Sequence, residues 1–412
     1  MLDTMTDPGV LIENATGATR GQSGNDIAPA GESFLLNTSN GLPLRPAWVE
    51  INLTNLRKNF ELIAADKPGD LRVLAVVKDD GYGHGGLAVA KAALAQGASF
   101  LAVSTLEEAV VLREAGLKCR MLLLGDRQAS ELAWCVDHDL TCCVSEHATA
   151  KALALIATRA GKRIPVHLKI NTGMNRYGVR WTEAAALAEA IATTQSLVLE
   201  GVLSHFAQSD EADKTYANLQ LSRFHQALEE MTARGIHVKL RHLCNSGGFL
   251  DLPRAHFDMV RLGILPLGVF PSSVCRRIAG IEPVMSVKAR IAAIQCLEPG
   301  DCVGYGMRYT APSARRIAVL PLGYGDGFPR VRNQGSVLIH GKRAPLVGGV
   351  AMDAFTVDIT EIPEAKVWDE AVVMGRQGND EISVHEVAKL KGSVSYDVLT
   401  AWRSRLPRVY SA

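Results

Sequence analysis

The stretch LRVLAVVKDDGYGHGG, residues 71–86, decides how the rest of the chain reads. Its first half is a run of branched apolar residues, the pattern of a strand buried on both faces, and the run ends at Lys78. Gly81, Gly83, Gly85 and Gly86 follow, interleaved with Tyr82 and His84, and a helical pattern then runs to Gln96 with Gly97 as its stop. Lys78 therefore sits at the carboxyl end of a buried strand, facing a glycine-rich turn that lets backbone approach a ligand closely. In parallel α/β folds that end of the sheet is where chemistry is done. A lysine that merely snorkels out of the last strand position is the plain alternative.

Working outward, the same alternation repeats. Strand patterns fall at 71–78, 99–104, 120–125, 140–145, 164–171, 199–206, 239–246 and 257–264, separated by helical patterns such as LEEAVVLREAG, EHATAKALALIATRAG and YANLQLSRFHQALEEMTARG. Eight parallel strands with intervening helices over about 200 residues is the count and length of a (β/α)8 barrel, closed by right-handed crossovers. An open doubly wound sheet is the structural competitor, and the lack of a GxGxxG after the first strand argues against it. Ahead of the barrel, AWVEINLTNLRKNFELIAA reads as a short alternating stretch and an amphipathic helix with Leu56, Phe60, Leu62 and Ile63 toward a core. Beyond Ile281 the texture changes to short β-type runs punctuated by glycine, with one late helix over 396–405. The expected α/β organisation is a disordered leader over 1–46, a TIM barrel over 47–280 and a mainly-β C-terminal domain over 281–412.

Composition narrows the function. Of 412 residues, 44 are basic and 43 acidic, which leaves no field to attract nucleic acid or a charged membrane. The eight cysteines show no CxxC pair and no metal-ligand spacing, so no metal is expected and the thiols fit a reducing compartment. No apolar run reaches the ~18 residues that span a bilayer. The first 46 residues lack a basic start followed by an apolar core, so they read as neither secretory signal nor transit peptide and the chain as cytoplasmic.

Polar residues at the carboxyl ends of barrel strands converge on one mouth. Strand one offers Lys78, Tyr82 and His84, strand five Lys169, Asn171 and Arg176, strand six His205, strand seven His242, Asn245 and Ser246, and strand eight Arg261 and Gly263. Each alone has an ordinary structural explanation; together they read as a functional mouth. The loops after strands seven and eight are where barrels bind phosphate, with glycine exposing N–H groups and Ser246 adding a hydroxyl. A phosphate-bearing cofactor there, with a lysine across the mouth, points to pyridoxal phosphate held as a Schiff base. His205 could pack on its ring and Arg261 face it from the nitrogen side.

The run AVVKDDGYGHG resembles the pyridoxal-phosphate motif of bacterial alanine racemases, and RPAWVEINLTNLRKNF resembles their opening segment. LKINTGMNRYGV, LSHFAQSDE, NSGG, FDMVRLGI, VGYG, LGYGDGFPR, VAMD and VSYDVLTAWRSRLPRVY look like the family's later blocks in the family's order, over residues 46–412. The resemblance implies interconversion of L- and D-alanine, with Lys78 and Tyr305 as two bases on opposite faces of the cofactor. Tyr305 would come from the partner's β domain, which implies a head-to-tail homodimer with shared sites. Tyr82, Ser246, Gly263, Ile264 and Tyr396 match phosphate-contacting positions, His205 the residue on the ring, Arg261 the one facing the pyridine nitrogen, and His242 its supporting partner. Arg176 and the backbone of Met352 match the substrate-carboxylate site, Lys169 a lysine often carbamylated, and Tyr324, with Asp353 near Met352, the substrate channel. The product would serve peptidoglycan or the enzyme alanine breakdown.

The chain departs from the family pattern at Asp79, Asp80, Gly81, Asn171, Leu262 and Ala351. These positions leave open a racemase of the same fold for serine or larger amino acids. A basic amino-acid decarboxylase would need a cysteine-centred substrate block that is not found here. A non-catalytic pyridoxal-phosphate barrel protein would lack the second domain and with it Tyr305.

Overall fold

The computed structural model describes residues 43–411. The expected leader therefore lies outside the described residues except for 43–46. Eight parallel strands form the barrel: Arg72–Val76, Phe100–Val103, Arg120–Leu123, Thr141–Val144, Ile164–Asn171, Leu197–Leu203, Leu240–His242 and Met259–Leu262. The first seven pair in order, and the eighth pairs with the first through Val260 beside Val73 and Arg261 beside Leu74. The seventh and eighth are joined by Asp258 N–H to Arg241 O and Arg261 N–H to Cys244 O, both 3.0 Å. The ring leaves no long free edge. Strands such as FLAV and TCCV are buried at every position because side chains fill the interior and helices cover the outside.

The second domain is a mainly-β body that draws on both sides of the barrel in sequence. Ala47–Asn52, expected to open the barrel domain, instead pairs antiparallel with Met285–Arg290 and parallel with Arg408–Ser411. Its first three residues are buried and only Glu50 and Asn52 are half-buried, and the boundary expected at residue 47 shifts accordingly. The helix that follows, Leu53–Asp66, is capped by Asn52, whose side chain accepts from Asn55 N–H at 2.8 Å. Two late helices stand where one was expected: Val384–Lys391, started by Ser383 and stopped by Gly392 at φ 66°, and Ser395–Ala401. The second presses on the turn after the first barrel strand, where a Cβ at Gly83 would fall 2.4 Å from Leu399 O.

Candidate active site

That turn is left-handed. Asp79, Asp80, Gly81 and Tyr82 have φ of 55°, 51°, 63° and 54°, so the chain coils in the unusual sense directly after Lys78. Gly81 N–H to Val77 O and Gly83 N–H to Asp79 O, each 2.9 Å, close it. Asp80 Oδ1 fastens its far side by accepting from Gly86 N–H at 2.7 Å, while Asp79 N–H donates to the Glu108 carboxylate. A non-glycine residue in this conformation costs about 1–2 kcal/mol, least for Asp and Asn. The departures Asp79, Asp80 and Gly81 are thus residues that suit the backbone they occupy. Burial pulls the Lys78 amine below the ordinary lysine value, helped by Arg176 and opposed by Glu108 and Asp79. More of the free amine is then available as base or nucleophile.

Around the turn, the loops after the seventh and eighth strands form a cradle of donors. Ser246 opens the short helix Ser246–Asp251, which Asn245 caps by accepting from Gly248 N–H at 2.9 Å. Its Oγ lies 3.4 Å from the N–H groups of Gly263 and Leu265. A Cβ at Gly263 would sit 2.5 Å from Tyr82 Oη, so glycine is what lets that hydroxyl reach the eighth-strand loop. Tyr396, from the second domain, stands with its ring centroid 6.3 Å from that of Tyr82. Burial raises both phenols, which stay protonated donors. Three hydroxyls with the backbone of Gly263 and buried Ile264 suit a phosphate.

Arg261 points into the barrel from the eighth strand and is buried. It donates to His242 Nδ1 at 3.1 Å, His242 O at 2.9 Å, Ser204 O at 2.7 Å, His205 Nδ1 at 2.9 Å and Leu243 O at 3.0 Å. None of these acceptors is a carboxylate. Burial brings the guanidinium down to about 10, still a cation at neutral pH. Lys169 lies half-buried two positions along from His167, its amine brought to about 7 by burial and then by Arg261. His205 is held neutral by burial, then by Arg261, Lys169, Arg176 and Lys78. Two guanidinium groups and two amines thus gather at one mouth around a neutral imidazole, a basic set that fits an anionic cofactor and an anionic substrate group.

Tyr396 aside, the second-domain residues expected at the site make no hydrogen bond to this cluster among the described residues. Tyr305 is 83% exposed and Met352 52%, and among the described residues no hydrogen bond joins either to Lys78. Met352 O accepts from Gly325 N–H at 2.8 Å. Asp353 accepts from Arg405 at 2.6 Å, and Arg405 also reaches the buried Asp326 at 2.9 Å. Tyr324 lies under the Arg330 guanidinium, 5.7 Å away. Sequence reasoning passed over Asp326, which also takes Arg45 at 2.7 Å and Gly323 N–H at 2.9 Å. It also passed over His167, although its spacing from Lys169 puts both on the inward face of one strand.

Family models for the alanine racemase N-terminal and C-terminal domains match residues 51–271 and 284–410. Alanine racemase of Syntrophobacter fumaroxidans is 42% identical, covering 85% of this chain and 94% of its own. That of Carboxydothermus hydrogenoformans is 40% identical, over 89% and 100%. The solved alanine racemase of Clostridium difficile superposes with a TM-score of 0.86 at 33% identity, over 89% of this chain and 96% of that one. The alanine racemase from Bacillus anthracis with bound L-Ala-P gives 0.83 at 32%, over 89% and 95%. With both domains matched and the donor cradle in place, the chain belongs to the alanine racemase family of pyridoxal-phosphate-dependent enzymes, and its reaction is the interconversion of L- and D-alanine.

Proposed function

We propose that Lys78 and Tyr305 are the two bases of this racemisation, and that different subunits of a homodimer supply them to each site. The observation that carries the reading is a mismatch within the single chain. At the mouth Lys78 is half-buried and Arg261 buried within their own barrel, whereas Tyr305 stands in the open beside a hollow lined by Gly304, Gly349, Ala351 and Phe355. Racemisation needs one group to take the Cα proton and another to deliver a proton on the reverse face. Lys78 is suited to the first side by its lowered proton affinity, and the Tyr305 phenol to the second.

Pyridoxal phosphate, when bound, takes up the charge left at Cα. Lys78 would carry it, Tyr82, Ser246, Tyr396 and the backbone of Gly263 and Ile264 would hold its phosphate, and His205 its ring. Arg261, supported by His242, would face the ring nitrogen; a guanidinium keeps its proton and so would restrain charge withdrawal. Arg176 and the backbone of Met352 orient the substrate carboxylate, with Tyr324 and Asp353 at the channel. An unprotonated Lys169 amine could take up carbon dioxide, releasing a proton and becoming an anion between Arg261 and Arg176. We place the enzyme in the cytoplasm, its D-alanine serving peptidoglycan or its activity alanine breakdown; among the described residues no helix is long and apolar enough to cross a membrane.

Mixing two inactive variants tests the shared site. In a dimer of one Lys78→Ala subunit and one Tyr305→Phe subunit, one site keeps both bases and the other keeps neither. Random assortment should restore roughly a quarter of wild-type activity, since half the dimers are hybrids with one good site each. Hybrid dimers that form but stay inactive would overturn the reading.

A further inference from the structure

Arg261 and His242 begin a buried column of polar groups whose remaining members, His167 and Glu200, the roles above leave unused. His242 receives the Arg261 hydrogen bond on Nδ1 at 3.1 Å, and its Nε2 lies 2.8 Å from His167 Nδ1. His167 Nε2 in turn lies 3.4 Å from Glu200 Oε2, and the other oxygen of that carboxylate is held by Arg120. Both imidazoles are fully buried, their rings edge-on at 69° with centroids 5.0 Å apart. Arg120 opens the third barrel strand, so the column runs from the mouth through the interior to the opposite end.

Donors and acceptors along it are fixed from both ends. A guanidinium has only N–H donors, so His242 Nδ1 must offer a lone pair and Nε2 must carry the proton. A carboxylate only accepts, so His167 must carry its proton on Nε2 and a lone pair on Nδ1. The two assignments agree at the contact between the rings, one donor facing one acceptor. Burial keeps both rings neutral. Burial also pushes the Glu200 carboxyl up, but His167 and Arg120 outweigh it and leave it below the ordinary value, ionised at neutral pH.

The backbone is shaped around the column. The ladder between the fifth and sixth strands slips between Val166 and His167, which pair with Leu199 and Gly201, so Glu200 is the extra, bulged residue. A Cβ at Gly201 would fall 2.8 Å from the His167 ring, so only glycine there leaves the imidazole its place. A bulge and a glycine side by side are a specific way to seat one histidine and one carboxylate in a barrel that is otherwise apolar at this depth.

We propose that His167 and Glu200 are positioning residues for the racemase: from the far end of the barrel they set the tautomer of His242, and through it the orientation of the Arg261 guanidinium. The inference rests on the reading that Arg261 faces the ring nitrogen of the cofactor. Histidine tautomers, read by 15N NMR on histidine-labelled apoprotein, test the column without that reading. Wild type should show both His242 and His167 as neutral Nε2–H tautomers, and any other assignment overturns the proposal even if no variant folds. Glu200→Gln is nearly isosteric but offers a donor as well as an acceptor, so it should give mixed tautomers at both rings. In the holoenzyme it should shift the cofactor absorbance and lower kcat three- to tenfold with KM for alanine within twofold, and Glu200→Asp should recover most of both. Unchanged tautomers in Glu200→Gln, or changed tautomers with unchanged absorbance and kcat, would each overturn it. If Arg261→Lys left the cofactor absorbance alone, the reading of Arg261 would fail while the tautomer result stood.

Discussion

The barrel mouth and the Tyr305 turn are two halves of one proposed site built on opposite plans. At the mouth the scaffold is braced: Arg261 makes five hydrogen bonds, and the turn after Lys78 is pinned at both ends. At the turn Tyr305–Met307, Tyr305 and Met307 are 83% and 70% exposed, and no hydrogen bond holds the Tyr305 hydroxyl among the described residues. A group that must lie within reach of the Cα proton needs a fixed position. The contrast teaches that the barrel supplies rigidity from within one chain, while the second half of the site needs a surface to close on.

The largest effect that could break this contrast is expected from Lys78→Ala, which should lower racemisation by about 10³-fold or more in both directions and remove the cofactor's Schiff-base absorbance. Circular dichroism started from either enantiomer, beside an absorbance scan, measures both. Tyr305→Phe should cost about 10²–10⁴-fold in kcat while the absorbance stays. Undiminished exchange from both enantiomers would leave the exposed turn without a catalytic part. Gly263→Ala comes next, because its methyl would press on Tyr82 Oη at 2.5 Å. Retention of cofactor on dialysis should weaken by tenfold or more, equivalent to about 1.4 kcal/mol, and normal retention would show that the cradle tolerates the intrusion.

The last expectation concerns pH and stability rather than catalysis. An unmodified Lys169 has a folded-state value of about 7 against 10.5 unfolded, so the unfolded chain binds more protons between those values. Stability should then rise with pH from about 7 toward 10.5, and be lost as pH falls through that window. Denaturation across this range should show a shallower slope in Lys169→Met than in wild type. A wild type already flat in bicarbonate would point to a carbamylated lysine.

Most of the barrel strands were legible because they are short runs of apolar residues buried on both faces, which is a local property. Lys78, His205, Ser246 and Arg261 were legible as candidates because the end of a strand is also a local property, and the family resemblance named their roles. Three features were hidden for physical reasons. The strand Ala47–Asn52 shows an alternation that fits any half-covered sheet, and its partners lie more than 200 residues away. The left-handed turn after Lys78 depends on Glu108 and Leu399 as much as on its own glycines. His167 and Glu200 meet only because a bulge turns the carboxylate toward the ring. The helix Val384–Lys391 was within reach, since Ser383 and Gly392 bracket it.

The pairing of Ala47–Asn52 with Arg408–Ser411 carries a consequence for how the molecule is made. All eight barrel strands leave the ribosome before residue 408 does, so the barrel can close while the sheet beside it still lacks a member. Arg408 then donates to Gly83 O at 3.3 Å, across 325 positions of sequence, bracing the coil that follows Lys78. A chain lacking that strand would keep all eight barrel strands and lose this brace on the coil beside its lysine.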